Sequence, residues 1–206
     1  MSLYSRFVLP RLINASCQAK PIMKQREKIV PLAKGRVLEI GVGGGLNLAY
    51  LDSSKVECVF GLDSSAALME GALQKSGQLD IDFKPLLLDA AQIPLADDEI
   101  DTVLVTYTLC SIDALEAALF EMRRVLKPAG QLLFCEHGAA PDRNVNKWQK
   151  RLTPVWRRVG GGCRLDRDLP MEIQNAGFRL TSLEQMYLPG TARLVGYNSW
   201  GAAIPY

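Results

Sequence analysis

Chemistry is most legible where an apolar stretch runs into glycines. Glu39-Ile40-Gly41-Val42-Gly43-Gly44-Gly45 places an acid ahead of glycines at 41, 43 and 45. Without a Cβ, these glycines let the backbone turn sharply and approach a ligand closely. A helix is predicted over Leu46–Leu51, and its free N–H groups would suit a carboxylate. Asn47, in that segment, is grouped with the ligand-facing residues. A dinucleotide loop needs G-x-G-x-x-G. Here Leu46 stands where the third glycine belongs, so that pattern fails. What remains is E-x-G-x-G-x-G. A carboxylate at Glu39 suits a ligand ammonium and disfavours a pyrophosphate.

Further acids fall at the ends of later apolar stretches. Asp63 closes one of them, and a carboxylate there can accept from both hydroxyls of a ribose. With Ser64 and Ser65 it also reads as a helix N-cap. Asp89-Ala90 closes the next and can meet an adenine amino group, or be a plain turn aspartate. Thr106, Tyr107 and Leu109 follow a fourth stretch and should lie under a bound nucleoside, although core packing explains Leu109 equally well. His137 is the one histidine in the chain. Its ordinary pKa of about 6.5 suits a general base near neutrality. The alternative is a histidine that bonds Glu136 or a loop carbonyl and fixes the rim. Cys163 can line a pocket or fill the core as a small hydrophobe. Asp166 and Arg167 read as acceptor contacts or as a surface ion pair.

The elements that must hold these residues alternate. Strands are predicted at Arg36–Ile40, Glu57–Leu62, Asp82–Leu88, Thr102–Tyr107 and Gln131–Glu136, the fourth continuous and β-branched as a strand buried on both faces should be. Helices are predicted at Ser65–Lys75 and Asp113–Leu126, the latter with Asp113 and Glu116 as a capping box. Lys127-Pro128-Ala129-Gly130 stops that helix and starts a strand. A helix and a loop fill 141–168, Leu169–Ala176 is helical and closed by Gly177, and Phe178–Tyr187 with Leu194–Ile204 form a final antiparallel hairpin. Residues 1–33 read as helix, with Tyr4, Phe7 and Val8 as a lid or as packing against the sheet. In Lys147–Arg158 the default is a solvated helix with Trp148 and Trp156 packed inward. The order predicts an α/β fold: a mostly parallel seven-stranded sheet, helices on both faces and an antiparallel edge strand.

Bulk properties bound the rest. A chain of 206 residues suits one domain, divided into a helical cap (1–33), a cofactor-binding half (34–137) and an acceptor-side portion (138–206). Against 24 basic residues stand 22 acidic ones, a net charge of +2 that gives no reason to expect a nucleic acid or an anionic membrane as partner. The apolar runs are strand-length, so no transmembrane segment is predicted. Five cysteines, an odd number with no CxxC spacing, read as free thiols of a cytoplasmic protein. No metal site is expected, because His137 stands alone and no cysteines cluster around it.

Together these segments resemble the class I S-adenosylmethionine-dependent methyltransferases. The carrying stretches are VLEIGVGGGLNL (37–48), GLDSS (61–65), LLLDAAQIPLADDEIDTV (86–103), TLCSI (108–112) and RRVLKPAGQLLFCEH (123–137). IPLADDEIDTV looks like the corresponding stretch of the ubiquinone-biosynthesis type. TLCSI, CEHGAA (135–140) and WRRVGGGCRLDRD (156–168) resemble the thiol S-methyltransferases of the methyltransferase-like group. Those carry a membrane-anchoring N-terminal extension that is not expected here. The resemblance implies a Rossmann-like fold, S-adenosylmethionine as cofactor with S-adenosylhomocysteine as product, no metal, and a small-molecule acceptor, a thiol among the candidates. Glu39, Gly41, Gly43, Gly45, Asn47, Asp63, Ser64, Asp89, Ala90, Thr106, Tyr107 and Leu109 would form the cofactor site. The competing reading is a cofactor-binding protein without transfer activity, acting as a regulatory or partner subunit.

Overall fold

Strand β1 (Gly35–Ile40) is the centre of the structure, because Val37, Leu38 and Ile40 are apolar on both faces and fully buried. The computed structural model describes residues 9–206, without the side chains of residues 10, 11 and 14. Tyr4, Phe7 and Val8 therefore lie outside the described residues. β1 pairs in parallel with β2 (Val56–Asp63) on one side and β4 (Ile100–Thr106) on the other. β3 (Asp82–Leu87) adds to β2 as an edge strand, a position that tolerates Pro85. β5 (Leu126–His137) adds to β4. The chain then returns through β6 (Phe178–Tyr187) and β7 (Tyr197–Pro205). β7 inserts between β5 and β6 and runs antiparallel to both. The order is β3-β2-β1-β4-β5-β7-β6, seven strands in one mixed sheet.

Alternation along the strands divides the core. Leu38, Ile40, Val103, Val105, Leu132 and Phe134 face the apolar stripes of α4 (Leu115–Val125) and α6 (Leu169–Asn175). Val37, Val59, Leu104 and Leu133 face Ile29 at the end of α2 (Lys20–Ile29). α3 (Ala66–Ser76) packs through Met69 and Ala72 on Val42 and Phe83. α1 (Leu9–Cys17) and α5 (Arg143–Val159) complete the helices. Strand order reverses between β1 and β4, so a crevice opens at their carboxyl ends, where sheets of this kind bind ligands.

Four local expectations are corrected. No α-helix follows the glycine turn; Leu48–Tyr50 makes a single 3-10 turn, because Asn47 is locked inward by side-chain bonds and Asp52 starts a new turn through Ser54. Asp113 does not cap α4. The cap residue is Ala114, and Asp113 pairs with Arg157 at 2.6 Å. The helix does stop before Lys127, but the fifth strand starts at Leu126 and not at Gln131; residues 127–130 lie inside β5 as a bulge, where the register jumps between Ile100–Leu126 and Thr102–Gln131. Trp148 and Trp156 are not packed inward but are 53% and 38% exposed, since Gln149 and Thr153 take the buried face of α5.

Candidate functional site

The glycine turn is fixed by backbone before any side chain acts. The N–H groups of Gly41 and Val42 both donate to the Leu62 carbonyl at the end of β2, at 2.8 and 3.0 Å. Gly41 has φ +69°, and a Cβ there would sit 2.2 Å from Thr108 Oγ1. That position therefore needs glycine for both conformation and space. Asp63 then clamps the loop: Oδ2 accepts from Gly43 N–H at 2.9 Å and Oδ1 from Ser65 N–H at 2.8 Å. Burial raises its pKa, and these backbone donors only partly oppose it.

Behind the turn lies a buried polar network. Asn47 Nδ2 donates to Glu39 Oε1 and to Thr106 Oγ1, each at 2.9 Å. Arg26, on α2, donates to Asn47 Oδ1 at 2.7 Å and to Thr106 Oγ1, and stacks over the Tyr107 ring. Burial pushes Glu39 up to about 7 against the pull of Arg26 and Asn47. Its Oε2 is buried without a hydrogen-bond partner. Tyr107 has φ +54°, an uncommon conformation for a bulky residue. Its hydroxyl donates to Asn198 Oδ1 at 2.6 Å. The loop after β4 is held by Glu136, whose Oε1 accepts from Thr108 N–H at 2.6 Å and Leu109 N–H at 3.0 Å. Glu136, also fully buried, is pushed up to about 7 by that burial.

These groups surround a cavity of about 550 Å³, within the range of roughly 300–1,000 Å³ for small-molecule sites. Gly41, Gly43, Asp63, Ser64, Asp89, Ala90, Thr106 and Tyr107 line it, as the sequence leads one to expect. Glu39, Gly45, Asn47 and Leu109 are not on its wall. Glu39 and Asn47 stand in the network behind it, Gly45 packs on Ala72, and Leu109 is in the core. Asp89 uses Oδ1 to accept from Ala91 N–H at 2.8 Å, the turn role. Leu9, Ile13 and Cys17, at helical spacing on α1, wall the cavity from the other side.

His137 stands apart. It is absent from the cavity wall, and its Nε2 lies 3.1 Å from Cys163 Sγ instead of against Glu136 or a carbonyl. Cys110 joins them, so cysteines do cluster around His137, contrary to the reading of the sequence. Two loops and the end of β5, separated by tens of residues, make that cluster, and no spacing could announce it. Arg26 was missed as well, although a signal existed: it sits three residues before Ile29, on the apolar face of α2.

The comparisons agree with this geometry. The family described as "Methyltransferase domain" matches residues 38–134. The thiol S-methyltransferase TMT1B of Rattus norvegicus is 32% identical over 82% of this chain and 70% of its own length. Its Homo sapiens counterpart is 31% identical over 84% and 72%. Among solved structures, an S-adenosylmethionine-dependent methyltransferase from Aquifex aeolicus superposes with a TM-score of 0.67 at 19% identity, over 96% of this chain and 98% of that one. Another from Mesorhizobium loti gives 0.68 at 15%, over 90% and 98%. These structures speak to the fold, and the sequence relatives to the activity: the chain belongs to the class I methyltransferases and uses S-adenosylmethionine as its cofactor.

Proposed function

We propose that the enzyme methylates a small-molecule thiol. The observation that carries this reading is the 32% identity, across 82% of the chain, to a protein named a thiol S-methyltransferase. The cavity suits it: its described wall contains no histidine and no lysine. A thiol, with an ordinary pKa of about 8.5, is already partly thiolate near neutrality and needs less help from a base than an alcohol does.

The residues fit the cofactor. When bound, S-adenosylmethionine supplies an electrophilic methyl on a cationic sulfur, displaced in line to leave S-adenosylhomocysteine. Glu39, with its unpartnered buried oxygen, is the counter-charge for an ammonium. Asp63 receives the ribose hydroxyls, Asp89 and Ala90 the adenine edge, and Thr106 and Tyr107 form the floor. Gly41, Gly43 and Gly45 shape the turn, with Asn47 and Arg26 bracing it. α1 closes over the cavity through Leu9, Ile13 and Cys17 and excludes water. Alignment of this kind supplies up to roughly 7–11 kcal/mol of a barrier. His137 is not needed as a base in this scheme.

The division into a cap, a cofactor-binding half and an acceptor side from residue 138 onward belongs to the same proposal. So does a cytoplasmic location, which suits five free thiols. Among the described residues no helix is long and apolar enough to cross a membrane.

An acceptor screen with product mass spectrometry tests the reading. The expected result is a methyl thioether from small thiols. Turnover of phenols or amines with no thiol product would overturn the acceptor class. Calorimetry that detected neither S-adenosylmethionine nor S-adenosylhomocysteine would remove the site assignment.

A further inference from the structure

Behind the cavity wall, three reactive side chains meet that the methyl transfer does not use. Cys110 follows β4, His137 ends β5, and Cys163 lies just past α5. Their ligand atoms all fall within 4.8 Å of one another. The two loops that carry the thiols run side by side. Arg164 N–H donates to the Cys110 carbonyl at 2.9 Å, and a Cβ on Gly162 would sit 3.0 Å from the Ser111 carbonyl oxygen.

Donors converge on the Cys163 sulfur. His137 Nε2 is 3.1 Å away, and Trp156 Nε1–H donates to it at 3.3 Å. The Cys110 sulfur lies within 4.8 Å of it. Such bonds favour a thiolate over a thiol. The Cys110 S–H foremost, then the His137 ring and the Trp156 N–H, hold Cys163 well below the ordinary thiol range in spite of its burial. Cys110 is driven in the opposite direction by the same bond and by burial. Burial works against a charged His137, but Cys163 and Glu136 outweigh it and raise its pKa. Cys17, kept neutral by burial, and Arg26 beside it are the other titratable and charged neighbours on this side.

The spacing fits protons better than a metal. Two ligands of one tetrahedral zinc, a nitrogen and a sulfur at about 2.0 and 2.3 Å from it, would stand roughly 3.5 Å apart. Here they are at N–H···S distance. A thiolate beside a protonated thiol is the arrangement in which one sulfur attacks an oxidant and the other resolves the product.

We propose that Cys163 and Cys110 form a peroxide-reactive dithiol, with Cys163 as the attacking thiolate, Cys110 as the resolving thiol, and His137 and Trp156 as positioning residues. The Cys163 thiolate attacks one oxygen of hydrogen peroxide and the O–O bond breaks. The departing hydroxide takes a proton from His137 and leaves as water. Cys163 is then a sulfenic acid. Cys110 attacks its sulfur, an S–S bond forms, and hydroxide leaves with the Cys110 proton as a second water. Two thiols are oxidised and one peroxide is reduced to two waters. Trp156, 38% exposed, puts the reacting sulfur one ring away from solvent. The disulfide joins two loops whose Ser111 and Gly161 line the cofactor cavity, so oxidation acts on the cavity wall.

The test is stoichiometric hydrogen peroxide on the whole chain, followed by peptide mapping. The expected product is a Cys110–Cys163 disulfide, with two of five thiols lost. Cys110→Ser should stop at a sulfenic acid on Cys163, trapped by dimedone. That variant keeps the test independent of whether Cys163→Ser folds. His137→Asn and Trp156→Phe should each slow the oxidation about tenfold. The proposal is overturned if peroxide leaves Cys163 reduced, or if Cys17 is oxidised in its place. It is equally overturned if the purified protein carries one equivalent of zinc that Cys110→Ser releases, which would make the cluster a metal site.

Discussion

Two regions of the molecule, the glycine turn after β1 and the segment after β5, are built by different means. On the β1–β2 side, backbone does most of the work. Gly41 and Val42 hang from the Leu62 carbonyl, Asp63 grips Gly43 N–H, and the residues involved lie close to strand ends. After β5, long-range side-chain bonds join backbone ones such as Ala139 N–H to the Arg167 carbonyl at 2.7 Å. Gln149 alone, from α5, receives Ala140 N–H at 2.9 Å and donates to the carbonyls of Gly138 at 3.1 Å and Leu194 at 3.0 Å. A ligand common to a whole family can be held by a turn that is repeated from protein to protein. If the segment from residue 138 onward is the acceptor side, as proposed, that surface is assembled from side chains that can change one at a time.

If this contrast is right, damage on the first side should fall on cofactor affinity and damage on the second on stability. The largest effect is expected for Gly41→Val. Its Cβ would overlap Thr108 at a positive φ, and calorimetry with S-adenosylhomocysteine should show a loss of at least about a hundredfold in affinity, or ~2.7 kcal/mol. Pairing Gly41→Ala with Thr108→Ala should recover part of the affinity that Gly41→Ala loses alone. Next comes Gln149→Ala, which takes the side-chain partner from three backbone groups in two segments, 138–140 and 194. We expect a loss of about 2–3 kcal/mol in denaturant stability, with cofactor affinity in the folded protein changed less than about twofold. A large affinity loss here would break the comparison.

Asp63→Ala should weaken cofactor binding about tenfold to thirtyfold, near 1.4–2 kcal/mol, while the far-ultraviolet spectrum stays unchanged. The smallest effect on stability is pH-dependent and belongs to Glu39. Burial raises its pKa from an ordinary 4.5 to about 7. Between these values the folded, cofactor-free protein holds a proton that the unfolded chain has released. This group's contribution to stability is therefore present at low pH and lost as pH rises toward 7. Glu39→Gln should leave the thermal midpoint near the wild-type value at pH 5 and raise it by a few degrees at pH 8. Cofactor affinity should run the other way. An ammonium favours the carboxylate, so wild-type binding weakens by up to about tenfold per pH unit below 7, and the variant loses that slope.

The legible part of the molecule has a common property. A strand buried on both faces must be apolar through its centre, as Val103–Val105 is. The turn leaving it must use residues with special backbone freedom, as Gly41 shows. Local chemistry and local sequence then coincide, so five parallel strands, the final antiparallel pair and the part of the cavity wall at the strand ends could be read directly. The helix after the turn could not, because Asn47 prefers its buried partners to a helical turn. The capping box at Asp113 failed for a similar reason: an arginine 44 residues away competes for the carboxylate.

By itself, then, the sequence determined the cofactor class, since a glycine turn and acids at strand ends are constraints between near neighbours. It also determined the sheet that carries them, through apolar periodicity. Only the tertiary structure decided that Arg26 braces the turn, that Glu136 holds the loop after β4, and that Cys110 and Cys163 meet at His137. Those contacts join residues 26 to 106, 108 to 136 and 110 to 163. Contacts at such separations follow from how strands and helices pack, and one-dimensional spacing carries no record of them.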